Sequence, residues 1–261
     1  MLLKNLEIKL NDLLKPDTSY EWDNSGLLIG EMQKDIKSVM ITLEIDEKVM
    51  KDAIDKKVDM IISHHPLIFK PKKNLKNSEK NSLIIMNLIK NDIAVYAAHT
   101  NYDIIKEGLN DYLAKLIGLT DIETLYSDGE PKIGRFGILK NKMDTEEFAD
   151  HVSRTAGIKH LRIVKGNEKP VEKIGLVTGA GIEYINNAID SGCDTFVTGD
   201  VKYHEAQHAK ELGINILDIG HYASEIHFND SMKEFLERNL DAKLRFVVTD
   251  KLEDPFMAFM A

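Results

Sequence analysis

An internal repeat limits what this chain can fold into more than any other feature of its sequence. The first copy runs Val39 to Thr42, Ala53-Ile54-Asp55 and Val58 to Ser63, and ends in His64-His65. The second runs Ile174 to Val177, Ala188-Ile189-Asp190 and Cys193 to Thr198, and ends in Gly199-Asp200. The offset holds at 135 residues (188 minus 53, 194 minus 59). A second register of 122 residues (221 minus 99, 225 minus 103) superposes His99-Thr100-Asn101-Tyr102-Asp103 on His221-Tyr222-Ala223-Ser224-Glu225. The difference of 13 residues (135 minus 122) is a longer connection after His65 than after Asp200. A duplicated fold of this kind carries both polar sets at equivalent strand ends.

Short apolar runs alternate with helical patterns through both copies. Helices are expected over 2–14, 46–56, 79–90, 109–116 and 145–155, and strands over 27–29, 38–43, 59–62, 93–97, 133–139 and 161–164. Such alternation argues for helices layered on largely parallel sheets, an α/β class. The expected division is residues 1–124 and 125–261, with Thr124 to Pro131, containing Ser127-Asp128-Gly129, as the linker. A last strand over 244–249 fits either sheet.

The net charge of −9 speaks against a broad basic surface, so no nucleic-acid partner is expected. One cysteine, Cys193, excludes an internal disulfide and reads as a small buried apolar residue. No apolar run approaches the roughly 18 residues that span a bilayer. At the N-terminus, Lys4, Glu7, Lys9 and Asp12 interrupt six leucines at helical spacing, unlike a signal peptide. A cytoplasmic protein with no membrane partner is expected.

Ligands of open α/β sheets collect at the carboxyl ends of parallel strands. Four polar clusters stand at such ends: Ser63-His64-His65, His99 to Asp103, Thr198-Gly199-Asp200 and His221 to Glu225. Imidazoles and carboxylates together suit Zn, Fe, Mn or Co. His64, His65, Asp103, His221 and Glu225 make three nitrogens and two carboxylates, too many for one catalytic zinc but suited to two metals bridged by a carboxylate and a hydroxide. His99 and His204 are the candidate proton shuttles, since imidazole titrates near neutrality. His151, His160 and His227 have no partners in this pattern. No nucleophile elbow is present, and Thr178-Gly179-Ala180-Gly181-Ile182 reads either as an anion-binding turn or as a tight strand-to-helix turn.

Five stretches carry a resemblance to a known family: Glu21 to Gly30 (EWDNSGLLIG), Ser63 to Phe69 (SHHPLIF), Ala98 to Asp103 (AHTNYD), Thr198 to His204 (TGDVKYH) and Gly220 to Glu225 (GHYASE). In this order they resemble the NIF-three-like family, whose bacterial and archaeal members are known as GTP cyclohydrolase 1 type 2. The resemblance implies two related three-layer α/β/α domains facing each other across a cleft. It also implies two divalent metal ions (Zn, Fe or Mn) held there by His64, His65, Asp103, His221 and Glu225, and a toroidal homohexamer. Where the family commonly has Leu-Asp after the first repeat strand, this chain has Leu43-Glu44, one methylene longer.

The activity this implies is metal-dependent hydrolysis of a nucleotide, with opening of the GTP imidazole ring through a metal-bridging hydroxide. His99, His204 and Glu225 are the residues expected to act in it. A non-catalytic protein that binds or delivers metal, or a regulatory interaction module, is the alternative. The choice of GTP comes from the family label alone.

Overall fold

The computed structural model describes residues 1–125, 133–240 and 243–257. The expected linker from Tyr126 onward, with Ser127-Asp128-Gly129, lies outside the described residues. The chain divides into two compact units, one of Met1–Ile105 with Phe228–Glu253, the other of Lys106–His227 with the segment beginning at Asp254. This differs in two places from a cut at 124/125. Residues 106–124 join the second unit because their helix packs into its core and their strand pairs with its sheet. Residues 228–253 return to the first because the strand expected over 244–249 pairs there.

The first unit contains α1 (Leu3–Leu14), β1 (Gly26–Ile29), β2 (Ser38–Thr42), α2 (Glu47–Asp55), β3 (Met60–Ser63), α3 (Lys80–Lys90), β4 (Ala94–Ala97), α4 (Thr100–Ile104), α10 (Phe228–Asn239) and β11 (Arg245–Val248). Its sheet order is β1-β4-β3-β2-β11. All neighbours are parallel except β1, which runs antiparallel to β4. Strands buried on both faces read as continuous apolar runs, and β2, β3 and β4 are buried at every position. Met40, Ile61 and Val95 point to one face and pack with Val49, Ala53, Ile85 and Leu88 of α2 and α3. On the other face the Tyr96 hydroxyl reaches Asn11 of α1 at 3.0 Å, and α10 lies over β2. The unit is therefore three-layered, as expected.

The second unit contains α5 (Leu109–Leu116), β5 (Leu119–Thr124), β6 (Arg135–Met143), α6 (Thr145–Thr155), β7 (Arg162–Val164), β8 (Val171–Leu176), α7 (Ile185–Asp190), β9 (Thr195–Thr198), α8 (Tyr203–Leu212), β10 (Asn215–Asp218) and α9 (His221–Glu225). Its sheet order is β5-β6-β8-β9-β10-β7. Only β8-β9-β10 is parallel, the other three strands running antiparallel. Leu113, Phe148 and Val152 of α5 and α6 cover one face, while Gly175 on the other lies so close to Ala188 of α7 that a Cβ would stand 2.9 Å from it. β5 was not expected from the sequence; it is an edge strand, exposed at Thr120, Asp121 and Glu123, and Leu-Thr-Asp-Ile-Glu-Thr carries little apolar signal.

The repeat has a shared physical basis. Oδ2 of Asp59, just before β3, accepts the amides of Lys37 and Ser38 at 3.0 and 2.9 Å, and Oδ2 of Asp194, just before β9, accepts those of Glu172 and Lys173 at 2.9 and 2.8 Å. All three residue pairs are 135 apart. Each carboxylate ties the start of one parallel strand to its neighbour and so sets the register. In the first unit that register aligns Thr42, Ser63 and Ala97 at the sheet's carboxyl end.

Burial alone would raise the Asp59 carboxyl, but the Lys37 and Ser38 bonds outweigh it and hold the group below its ordinary 3.8. A carboxyl lowered by folding stabilises above its unfolded value and loses that contribution as pH falls through the folded one. Asp59→Ala is expected to cost about 2 kcal/mol at neutral pH. Urea unfolding should show the gap between wild type and variant closing as the pH drops below about 4.

Candidate metal centre

In the first unit the ladder continues past the strand ends: the His64 amide bonds to Thr42 O at 3.1 Å, that of His65 to Leu43 O at 2.8 Å, and that of Ala98 to Ser63 O at 2.8 Å. The hydroxyls of Thr42 and Ser63 donate to the carbonyls of Glu44 and His65, both at 2.9 Å. Glu44, His65 and His99, each two residues beyond the aligned ends, therefore stand level. Ligand nitrogens of His64, His65 and His99 lie within 4.8 Å of one another.

Oxygen acceptors fix these rings. His64 is fully buried against Phe228, and its Nδ1 donates to Ala98 O at 2.8 Å, leaving Nε2 toward Asp103 at 3.8 Å. His65 Nδ1 donates to Glu44 at 3.4 Å, so the longer Glu44 side chain still reaches its imidazole. His99 Nδ1 donates to Asp23 at 2.8 Å. Asp23 also accepts the Thr100 hydroxyl at 2.6 Å and the Ser25 hydroxyl at 2.9 Å. Burial would raise the Asp23 carboxyl, yet the bond to His99, with its charge, and the further donors hold it well below the usual carboxylate range.

The second unit presents a different set at its own strand ends. His221 and Glu225 are i and i+4 on α9, which brings His221 Nε2 to 3.0 Å from the Glu225 carboxylate. His221 Nδ1 donates to Asp200 at 2.8 Å. The Glu225 hydrogen bond, opposed by burial and helped by Asp200, pushes the His221 imidazole up to about 9. Gly220, at φ +81°, is one residue more than the first copy has between its strand and histidine, so β4 and β10 match at an offset of 121 (215 minus 94) and the histidines at 122.

Close packing explains why the second copy lacks a histidine pair. A Cβ at Gly199, the position matching His64, would lie 2.7 Å from the His221 amide nitrogen. A Cβ at Gly179, matching Glu44, would lie 2.3 Å from Glu225 Oε1. The turn from Thr178 to Ile182 thus makes room for a carboxylate of the protein itself, which favours the plain turn over an anion site.

Oxygens of carbonyls and carboxylates only accept, so His221 donates through Nδ1 to Asp200 and through Nε2 to Glu225, while His64, His65 and His99 carry a proton on Nδ1 and direct Nε2 away from the accepting oxygens. That is the arrangement of metal-ligating imidazoles, whose other nitrogen donates to a carboxylate or carbonyl. The donor set therefore fits a divalent cation. His151 and His227 instead meet the backbone carbonyls of Ile117 and Ala156 through Nε2. His204 is exposed on α8, where Nδ1 meets Gln207 at 3.1 Å, and it joins no group of converging ligands among the described residues. Sequence reasoning gave no role to Asp23 or to the contact of Asp200 with His221. Asp23 lies 76 residues from His99, and only its place in a resembling motif marked it.

The family model Duf34/NIF3 (NGG1p interacting factor 3) matches residues 1–255, and the chain belongs to that family. A Clostridium perfringens protein named GTP cyclohydrolase 1 type 2 homolog is 33% identical over 259 residues, covering 98% of this chain and 99% of its own. A relative of the same name from Methanocaldococcus jannaschii is 36% identical over 231 residues, 87% of this chain and 91% of its own. The crystal structure of a Staphylococcus aureus hypothetical protein superposes with a TM-score of 0.92 at 30% identity, covering 99% of both chains. No helix among the described residues is long and apolar enough to cross a membrane.

Gly179→Ala is expected to displace Glu225 and weaken metal binding about 10- to 100-fold, the range found for ligand-supporting changes. Gly192→Ala is the control, because φ is +79° there but the nearest atom to a new Cβ is Lys173 Nζ at 3.8 Å. Metal content after a chelator wash should separate the two.

Proposed function

We propose that this protein is a dinuclear-metal-dependent hydrolase of the GTP cyclohydrolase 1 type 2 kind, acting on a nucleotide. The observation that carries this is the uniform engagement of Nδ1 in His64, His65, His99 and His221 by oxygen acceptors, which directs each Nε2 away from its supporting oxygen. His64, His65 and Asp103 from the first unit, with His221 and Glu225 from the second, would hold two ions (Zn, Fe or Mn) as one composite centre. When bound, such ions supply a water of lowered pKa and stabilise developing negative charge.

The protein's own groups then divide the remaining work. His99, its ring fixed by Asp23, moves a proton at Nε2, and Asp23 stabilises the imidazolium when it forms. His204 is the second shuttle, on an exposed helix face from which it can meet a substrate. Glu44, Ala98 O and Asp200 hold the rings of His65, His64 and His221 by Nδ1, with Nε2 directed away from them. With GTP as substrate the ring carbon between the imidazole nitrogens would leave as formate. The assembly we propose is the family's toroidal hexamer.

Metal-replete protein incubated with GTP and a panel of nucleotides should release formate. His99→Gln is expected to retain metal and lose about 100-fold or more in rate. Glu225→Gln should abolish or halve metal occupancy in elemental analysis. Occupancy well under one ion per chain, with no uptake of added Zn, Fe or Mn, would overturn the dinuclear centre. Full occupancy without turnover of any nucleotide would support the metal-binding alternative.

A further inference from the structure

Two large aromatic side chains in the first unit stand in solvent where neither the sheet nor the helices need them. Trp22 is 58% exposed and Phe69 42% exposed, in a chain whose other aromatic side chains include fully buried Tyr96, Tyr102, Phe148, Phe196 and Phe228. Tyr20 stacks on Trp22 with centroids 5.4 Å apart and planes 7° from parallel. Phe69 and His99 meet Trp22 edgewise at 6.0 and 6.2 Å, and lie 6.3 Å and 86° from each other. The three rings form a corner, with Tyr20 bracing the indole from behind. Its fourth member, His99, is the imidazole fixed by Asp23.

Two features on either side of this corner define what it suits. Within the corner are flat π faces, which bind planar rings by stacking and do so with little dependence on ring identity. Beyond Phe69 the chain enters a wholly exposed loop, residues 70–79, with Lys70, Lys72, Lys73 and Lys76 against the single acid Glu79, and Lys80 opens α3 just after it. A chain of net charge −9 has concentrated cations in the segment that leaves the aromatic corner. Stacking faces beside a cationic loop match a molecule that is flat at one end and anionic at the other.

We infer that Tyr20, Trp22 and Phe69 form a stacking subsite for a planar heteroaromatic ring beside His99, with the anionic group of the same ligand met by the lysine-rich loop. Trp22 and Phe69 are then specificity-determining residues, and the base end of the nucleotide sits next to the proton-moving nitrogen. The inference rests on the hydrolase reading only in taking this ligand to be the substrate.

Trp22 is the sole tryptophan, so its fluorescence reports the corner directly. Titration of the full metal-loaded chain with GMP should give saturable quenching, guanosine should quench with lower affinity, and ribose 5-phosphate should not quench. Phe69→Ala, which keeps the fluorophore, should weaken GMP about tenfold, the order contributed by one base on one aromatic side chain. Reversing Lys70, Lys72 and Lys73 to Glu should weaken GMP but leave guanosine unchanged. Equal quenching by ribose 5-phosphate, or none by GMP and guanosine, would overturn the subsite. So would a fluorescence change that follows protein concentration, which would assign the patch to a second copy of the chain. Quenching without formate release would overturn the hydrolase and keep the subsite. Formate release with KM unchanged in Phe69→Ala and Trp22→Ala would do the reverse.

Discussion

Register between neighbouring parallel strands is the constraint on which the rest of this structure depends. A slip of one residue would turn every side chain of β3 to the opposite face and destroy both the core and the site. The carboxylates of Asp59 and Asp194 prevent it by accepting paired amides from the adjacent strand. Because both act at the amino ends of the strands, their effect is read out at the carboxyl ends. There Glu44, His65 and His99 come level without any loop having to be long or strained.

The two copies spend that common frame differently. In the first, strand ends carry side chains outward into a three-imidazole group. In the second, glycines replace the equivalents of His64 and Glu44, and the space is taken by the backbone of His221 and the carboxylate of Glu225. A duplicated sheet end thus carries two different sets of side chains, one rich in nitrogen and the other led by a carboxylate. Equivalent imidazoles still receive equivalent support, since Asp23 holds His99 and Asp200 holds His221, both at 2.8 Å. The two aspartates come from positions that do not correspond in the repeat, so the support differs between the copies while the backbone frame is shared.

Much of this was legible in the chain. Helices over 109–116 and 145–155 follow from apolar spacing, and the structure adds a capping box of Asp144 and Glu147 at the start of the second. Strands β2, β3 and β4 follow from uninterrupted apolar runs. The edge strand β5 was missed because exposure on both sides leaves no apolar period to read. The unit boundaries were misplaced because β11 and α10 return to the first unit through pairing and packing, which have no local signature.

By itself the sequence determined the α/β class, the duplication and the identity of the polar residues at the strand ends, since these depend on periodicity and on residues close in the chain. Only the tertiary structure decided which nitrogen each histidine presents. That choice depends on oxygens supplied by Asp23, Ala98, Glu44 and Asp200, brought alongside by strand pairing across separations of 21 to 76 residues. A histidine's tautomer is set by what lies against it, and nothing in its own sequence neighbourhood specifies that.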